Sequence, residues 1–205
     1  MDGDGSCPRR STKLAIASHR KELGPLKRAR RLLGHGSIFH PTGTLKSSYE
    51  LTHSRPLKRW LRHCGPHLQN PERRAQATEL ALRLEVSLPP QRAATPAWAL
   101  GYLEADGCLR LERKPSGNYA VRLRCSSTVR DLVLTMGQVC GGRINGPYQP
   151  QNPPGAKPYW DWVLAADGPE LERLLRLWGS CPSAGPKGAK LPLVAEFLGR
   201  RRGGL

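Results

Sequence analysis

Residues 91–200 predict an α+β fold, on three observations. Apolar spacing changes from helical to strictly alternating at Gly107, two alternating stretches can fold back on themselves, and helical runs separate and follow them. Residues 1–90 read as a basic N-terminal extension with short helices or partial disorder, and residues 201–205 as a basic tail.

The elements of the α+β region follow in order. Thr95 is a good N-cap and Pro96 suits a first helical turn, and nothing from Ala97 to Ala105 would stop a helix before Gly107. Leu109 and Leu111 then alternate with Arg110 and Glu112, Ser116 to Asn118 supply a turn, and Val121, Leu123 and Cys125 alternate with Arg122 and Arg124. That hairpin has one cationic face. A helix from about Thr128 to Cys140 places Leu132, Val133, Met136 and Cys140 together and stops at Gly141 and Gly142. A second hairpin runs through residues 143–149 and 159–164 across Pro150, Pro153, Pro154 and Pro158, with Trp160, Trp162 and Leu164 on its apolar side. Pro169 opens a helix carrying Leu171, Leu174, Leu175 and Trp178, and a last helix spans roughly residues 191–200.

The first of these helices carries the chemistry. The nonapeptide ALGYLEADG, residues 99–107, delivers the Asp106 carboxylate where the chain leaves the helix. Ala97, Gly101 and Ala105 recur every four residues, so one face holds only small side chains and a second helix can approach it. Two copies meeting there about a two-fold axis would bring two Asp106 side chains together, an arrangement that attracts divalent metal.

The nonapeptide resembles the motif of the LAGLIDADG homing endonucleases, position by position, and the likeness extends over about residues 95–199. It implies an αββαββα unit whose four-stranded antiparallel sheet forms a saddle over double-stranded DNA. It further implies a metal-dependent phosphodiester hydrolase with magnesium as cofactor, Asp106 as the metal-binding catalytic aspartate, and Ala105 beside it at the metal. Lys190, before the last helix, best matches the lysine that organises the active-site water, with Lys187 the second choice. The glutamine many relatives carry at the end of the second strand is missing, since Cys125, Ser126 and Ser127 stand there, and Arg130 is the nearest cation that could substitute. Glu104, two residues before Asp106, cannot share its direction and is assigned a local polar or capping role.

The charge agrees with a polyanionic partner. Thirty-three basic residues face sixteen acidic ones, as 17 against 7 in residues 1–90 and 16 against 9 in residues 91–205. Arg110, Arg122, Arg124 and Arg143, with Asn145 and Gln149, fall on the polar side of the expected strands, where Arg pairs with guanine and Asn or Gln with adenine. All six histidines precede residue 68, which argues against a histidine-based nuclease centre in the motif-bearing part. His63, Cys64 and His67 are close in sequence, but no Cys-x-x-Cys pair accompanies them and chance is the better reading. Six unpatterned cysteines and no secretory leader predict an intracellular, reducing compartment, and no stretch approaches membrane-spanning length. One motif copy predicts a homodimer on a palindromic or near-palindromic site. The readings set against this endonuclease are an RNA-binding, maturase-like splicing protein and a ribosome-associated basic protein on the same scaffold.

Overall fold

A computed structural model of the chain describes residues 5–6, 12–113, 119–151, 155–166 and 169–179, with the single positions Lys187, Lys190, Pro192, Val194 and Glu196. It divides into two compact units, Met1–Ala93 and Ala94–Leu205.

Unit 1 contains strands β1 (Gly5–Ser6), β2 (Leu14–His19), β3 (Ser37–Phe39) and β4 (Lys46–Leu51) in one antiparallel sheet of order β1-β2-β4-β3. Helix α1 (Gly24–Leu33) joins β2 to β3, and α2 (Ser54–Cys64) and α3 (Pro71–Arg83) follow β4. Gly34 closes α1 in the left-handed conformation at φ 72°. Asn70 caps α3 by accepting from the backbone N–H groups of Glu72 (2.9 Å) and Arg73 (3.3 Å). Leu14, Tyr49 and Leu51 from the sheet pack with Leu26, Leu57, Trp60, Leu61 and Leu80 in a core of their own. This corrects the reading of residues 1–90 as a mere extension. The helices are legible there, but LAIASH and KSSYEL mix Ala and Ser into short strands and hide the alternation that β4 displays once folded.

Unit 2 begins with α4 (Pro96–Asp106), whose N-cap Thr95 accepts from the Trp98 N–H at 3.2 Å. Strands β5 (Gly107–Arg113) and β6 (Tyr119–Ser127), helix α5 (Arg130–Cys140), strands β7 (Arg143–Tyr148) and β8 (Tyr159–Ala166) and helix α6 (Pro169–Gly179) follow. The sheet order is β5-β6-β8-β7, all antiparallel, which is the fold class expected from the sequence. Leu123, Cys125, Trp162 and Leu164 bury one face of the sheet against Ala99, Leu103, Leu132, Met136 and Trp178 of the helices. Of the last expected helix, Pro192, Val194 and Glu196 are helical, and Val194 packs on this core; the rest lies outside the described residues.

The two sheets repeat one another in order and in register. Gly5 pairs with Ile16, Ile16 with Tyr49 and Tyr49 with Ile38; correspondingly Gly107 pairs with Cys125, Cys125 with Trp162 and Trp162 with Ile144. The aromatic in each row makes the same tertiary hydrogen bond. Tyr49 Oη donates to the His35 carbonyl at 2.6 Å, and Trp162 Nε1 donates to the Gly141 carbonyl at 2.6 Å. In both units a positive-φ glycine follows that carbonyl, Gly36 at 97° and Gly142 at 90°, and a Cβ on either would strike the aromatic or its strand.

Candidate functional site

Asp106 is the last residue of α4 and is exposed. Gly107 then enters β5 at φ −83° and ψ 168°, an extended conformation open to any residue. Its small size is needed for another reason. A Cβ there would lie 2.6 Å from the Leu103 carbonyl oxygen and 2.8 Å from Leu103 Cα, so only glycine lets the strand leave so close beneath the helix.

Asp106 forms the rim of a cavity of about 330 Å³ whose other walls are Cys108, Arg110, Arg122, Arg124 and Ser126. Register explains the grouping: Cys108 opposes Arg124 and Arg110 opposes Arg122, so the polar positions of β5 and β6 fall on the sheet face away from the core. Arg110, Arg122, Arg124, Arg143 and Asn145 are all exposed there, which brings five of the six expected DNA-contacting residues onto one face. The sixth, Gln149, lies beyond the end of β7, and its Nε2 donates to the Ala156 carbonyl at 3.0 Å.

One side chain on this face has no counterpart in the sequence reading. Asp161 of β8 is only 4 % exposed; it accepts from Arg124 Nη2 at 2.7 Å and from Ser126 Oγ at 2.6 Å. A single Asp in a strand between two Trp residues gives no signal until its neighbours across the sheet are known.

Lys187, the second choice, sits at the end of α4. Its Nζ donates to the carbonyls of Leu103 (3.2 Å), Glu104 (2.8 Å) and Ala105 (3.3 Å), and its N–H donates to Glu104 Oε2 at 3.3 Å. A lysine there adds a donor to the carbonyls of the last turn, where a helix leaves acceptors over, and offsets the negative helix end, while Glu104 accepts from the Lys187 N–H in a local polar role. Burial pushes the Cys125 thiol well above its ordinary range, the charge of Asp106 pushes it further and that of Lys187 opposes it, so both charges reach the same core position. Lys190 is exposed, and its N–H donates to the Lys187 carbonyl at 3.0 Å. Arg130 is exposed at the start of α5 and is absent from the cavity wall. Ala97, Gly101 and Ala105 are exposed along α4, and no described atom lies within 4 Å of a Cβ built on Gly101.

Magnesium fits this donor set. It takes oxygen ligands, commonly one or two carboxylates with water and substrate phosphate, and Asp106 presents one carboxylate beside an arginine-lined hollow. The Ala105 carbonyl is already an acceptor for Lys187, so the carboxylate is the stronger candidate ligand. Among the described residues no group of three or more His, Cys, Asp or Glu side chains is placed to hold a metal alone, and no helix is long and apolar enough to cross a membrane.

A helix ending in aspartate and feeding an antiparallel sheet with a cationic open face defines the LAGLIDADG homing-endonuclease fold, and the chain has that fold. It is similar to the LAGLIDADG meganuclease I-AabMI bound to uncleaved DNA, at TM-score 0.71 and 17% identity over 98% of this chain and 89% of that one. I-SmaMI bound to its uncleaved target in the presence of calcium ions matches at TM-score 0.61 and 14% identity, over 98% and 90% of the two chains. I-SmaMI bound to cleaved DNA matches at 0.58 and 14%, over 93% and 83%. The likeness therefore runs through both units. No protein-family model and no curated protein sequence matches the chain.

Proposed function

We propose that the chain is a site-specific endonuclease that hydrolyses phosphodiester bonds of double-stranded DNA with magnesium. The observation that carries this reading is the Asp106 carboxylate at the helix-to-strand junction, opening onto a hollow walled by Arg110, Arg122 and Arg124 in a fold of the LAGLIDADG type. The DNA-bound states of the similar structures support the same partner.

In this mechanism Asp106 holds the metal, which when bound supplies Lewis-acid stabilisation of the departing oxygen and acidifies water. Arg110 and Arg122 neutralise phosphates and fix the backbone over the cavity. Arg124, tied by Asp161, is held in one orientation suited to a base edge. Lys187 fastens the end of α4 and keeps Asp106 in place.

A two-strand cut needs a second carboxylate. The homodimer expectation drew it from a second chain, but register offers one within the chain: Gly5 occupies in β1 the place Gly107 occupies in β5, and the residues before them are Asp4 and Asp106. Asp4 lies outside the described residues, but it precedes Gly5 in sequence as Asp106 precedes Gly107; on this reading it supplies the second carboxylate, each sheet reads one half of the target, and one chain suffices. Exposure of the Ala97, Gly101 and Ala105 face among the described residues favours the second reading, pairing of two chains through α4. Sedimentation of the protein on its DNA separates them, with one chain per duplex supporting the first and two the second.

The decisive experiment is selection of cleaved sites from a randomised duplex library with magnesium, run beside calcium. Cutting in magnesium is expected, and Asp106→Asn should abolish it while salt-sensitive binding persists; a variant that cuts normally would overturn the assignment. On a selected site, Asp4→Asn should nick one strand only, and unimpaired double-strand cutting would remove Asp4 from the mechanism.

A further inference from the structure

Two aromatic rings stand on the open face of the unit 2 sheet, and a strand irregularity puts one of them there. Asn145 pairs with Asp161 and Tyr148 with Tyr159, so β7 takes three steps where β8 takes two. The extra residue turns Tyr148 back to the open side that Asn145 occupies, whereas strict alternation would send it toward the core. Gly146, at φ 115°, accommodates the bulge, since a Cβ there would lie 2.9 Å from the Tyr159 carbonyl oxygen. Tyr159 alternates with Trp160 along β8 and so shares the face of Asp161. The two ring centroids are 5.4 Å apart and the rings are inclined by 39°, with Tyr148 42 % exposed and Tyr159 half-buried.

The rings adjoin an arginine that is ill suited to phosphate. Asp161 accepts from Arg124 Nη2 at 2.7 Å, so the pair carries no net charge, yet 44 % of the Arg124 side chain is exposed. A guanidinium has five N–H donors, which leaves others for a base edge. The Asp161 hydrogen bond raises the Arg124 pKa above its ordinary value; burial opposes this, and the Asp161 charge and the Tyr159 hydroxyl add to it, so Tyr159 stands beside the guanidinium. A hydrogen-bonding plane and an apolar patch thus lie side by side.

We propose that Arg124 and the Tyr148–Tyr159 rings together read a guanine and the C5-methyl group of an adjacent pyrimidine, which makes target binding sensitive to cytosine methylation. This rests on the proposed reading of the open sheet face as a duplex-DNA surface. In the major groove guanine presents two acceptors, N7 and O6, that match a guanidinium, and the C5-methyl is the apolar group a pyrimidine displays there. Thymine and 5-methylcytosine carry that methyl in the same place; uracil and cytosine lack it. A ring that covers it removes apolar surface from water, a gain of about fourfold in affinity for one methyl. A phosphate would call for the net charge that Asp161 removes, so a base step and not the backbone is the fitting ligand.

The test uses the full chain with calcium in place of magnesium. Bound duplexes are selected from a random library, and the guanine whose enrichment disappears in Arg124→Gln marks the step. Synthetic duplexes with thymine, uracil, cytosine or 5-methylcytosine at the adjoining pyrimidine are then compared by fluorescence anisotropy. Thymine should bind about fourfold tighter than uracil, and 5-methylcytosine tighter than cytosine by the same factor. Tyr148→Ala should flatten both ratios while keeping the guanine, and Tyr148→Phe should preserve them; should Tyr148→Ala fail to fold, the ratios of the unaltered chain still decide. Equal affinity with and without the methyl group, no guanine that depends on Arg124, or a methyl preference that survives Tyr148→Ala would overturn the proposal. Loss of guanine selectivity in Tyr148→Ala would overturn it too, by making the ring a prop for Arg124. The ratios are independent of cleavage. Methyl discrimination without cutting in magnesium would sink the endonuclease reading alone, and cutting without discrimination would sink this inference alone.

Discussion

At the scale of single residues, the site depends on side chains that hold other side chains. Asp161 is a buried carboxylate on an otherwise exposed polar face, and its two oxygens are taken by Arg124 and Ser126. Asp161→Ala should therefore free Arg124 to sample several rotamers and relax one base position by about ten- to a hundredfold, the worth of a good bidentate contact; competition with singly substituted duplexes measures it, and an unchanged preference would refute the positioning role. Gly107→Ala should cost about 1–3 kcal/mol, since the new methyl meets the Leu103 backbone and neither chain segment can give way, a loss visible as an earlier urea midpoint. Asp106 and Gly107 were legible because their residue types are unusual at a helix end. Lys187 ranked below Lys190 in the sequence because spacing along a chain does not reveal which lysine folds back onto α4. Asp161 was silent for the same reason, its partner lying 37 positions away.

Among elements, α4 and the strands of unit 2 follow from local pattern. Thr95 and Pro96 start the helix as expected, and Val121, Leu123 and Cys125 of the alternating strands lie in the core with Leu109 packed against it. Gly101 is the weak point of α4, being exposed in mid-helix with open space around it. Gly101→Ala should stabilise the unit by about 1 kcal/mol through helix propensity and raise its melting temperature by several degrees. The same variant in sedimentation should leave the DNA complex unchanged if one chain suffices. In unit 1 the pattern is weaker in β2 and β4, where Ala15, Ala17 and Ser48 stand at the register positions of Arg124, Ser126 and Asp161, so apolar residues alternate with small ones and not with charged ones. Tyr49 and Trp162 share a role but not a side chain, so the repeat is invisible to residue matching and plain in hydrogen bonding.

For the whole molecule, the stability of unit 2 carries an alkaline limit. Burial pushes the Cys140 thiol from 9.0 up to about 12 and raises Cys125 as well. A group whose folded-state pKa lies above its unfolded value contributes fully below the unfolded value, so this contribution is intact below about pH 9 and declines as pH climbs toward 12. Denaturant melts between pH 8 and 11 should show unit 2 weakening by at most about 1.4 kcal/mol per pH unit for each thiol, and Cys140→Ala should lessen that slope. The unequal open faces of the two sheets bear on which targets the proposed activity would tolerate. Arg110, Arg122, Arg124 and Arg143 are exposed on one open face, while the other carries Ala15, Ala17, Ser37 and Ser48 with Phe39, Lys46 and the Lys13–Glu50 pair. Under the proposed function a target read by these faces is lopsided: most of its sequence information would sit beneath unit 2, and drift in the other half would be forgiven, letting the protein follow its site into related genes.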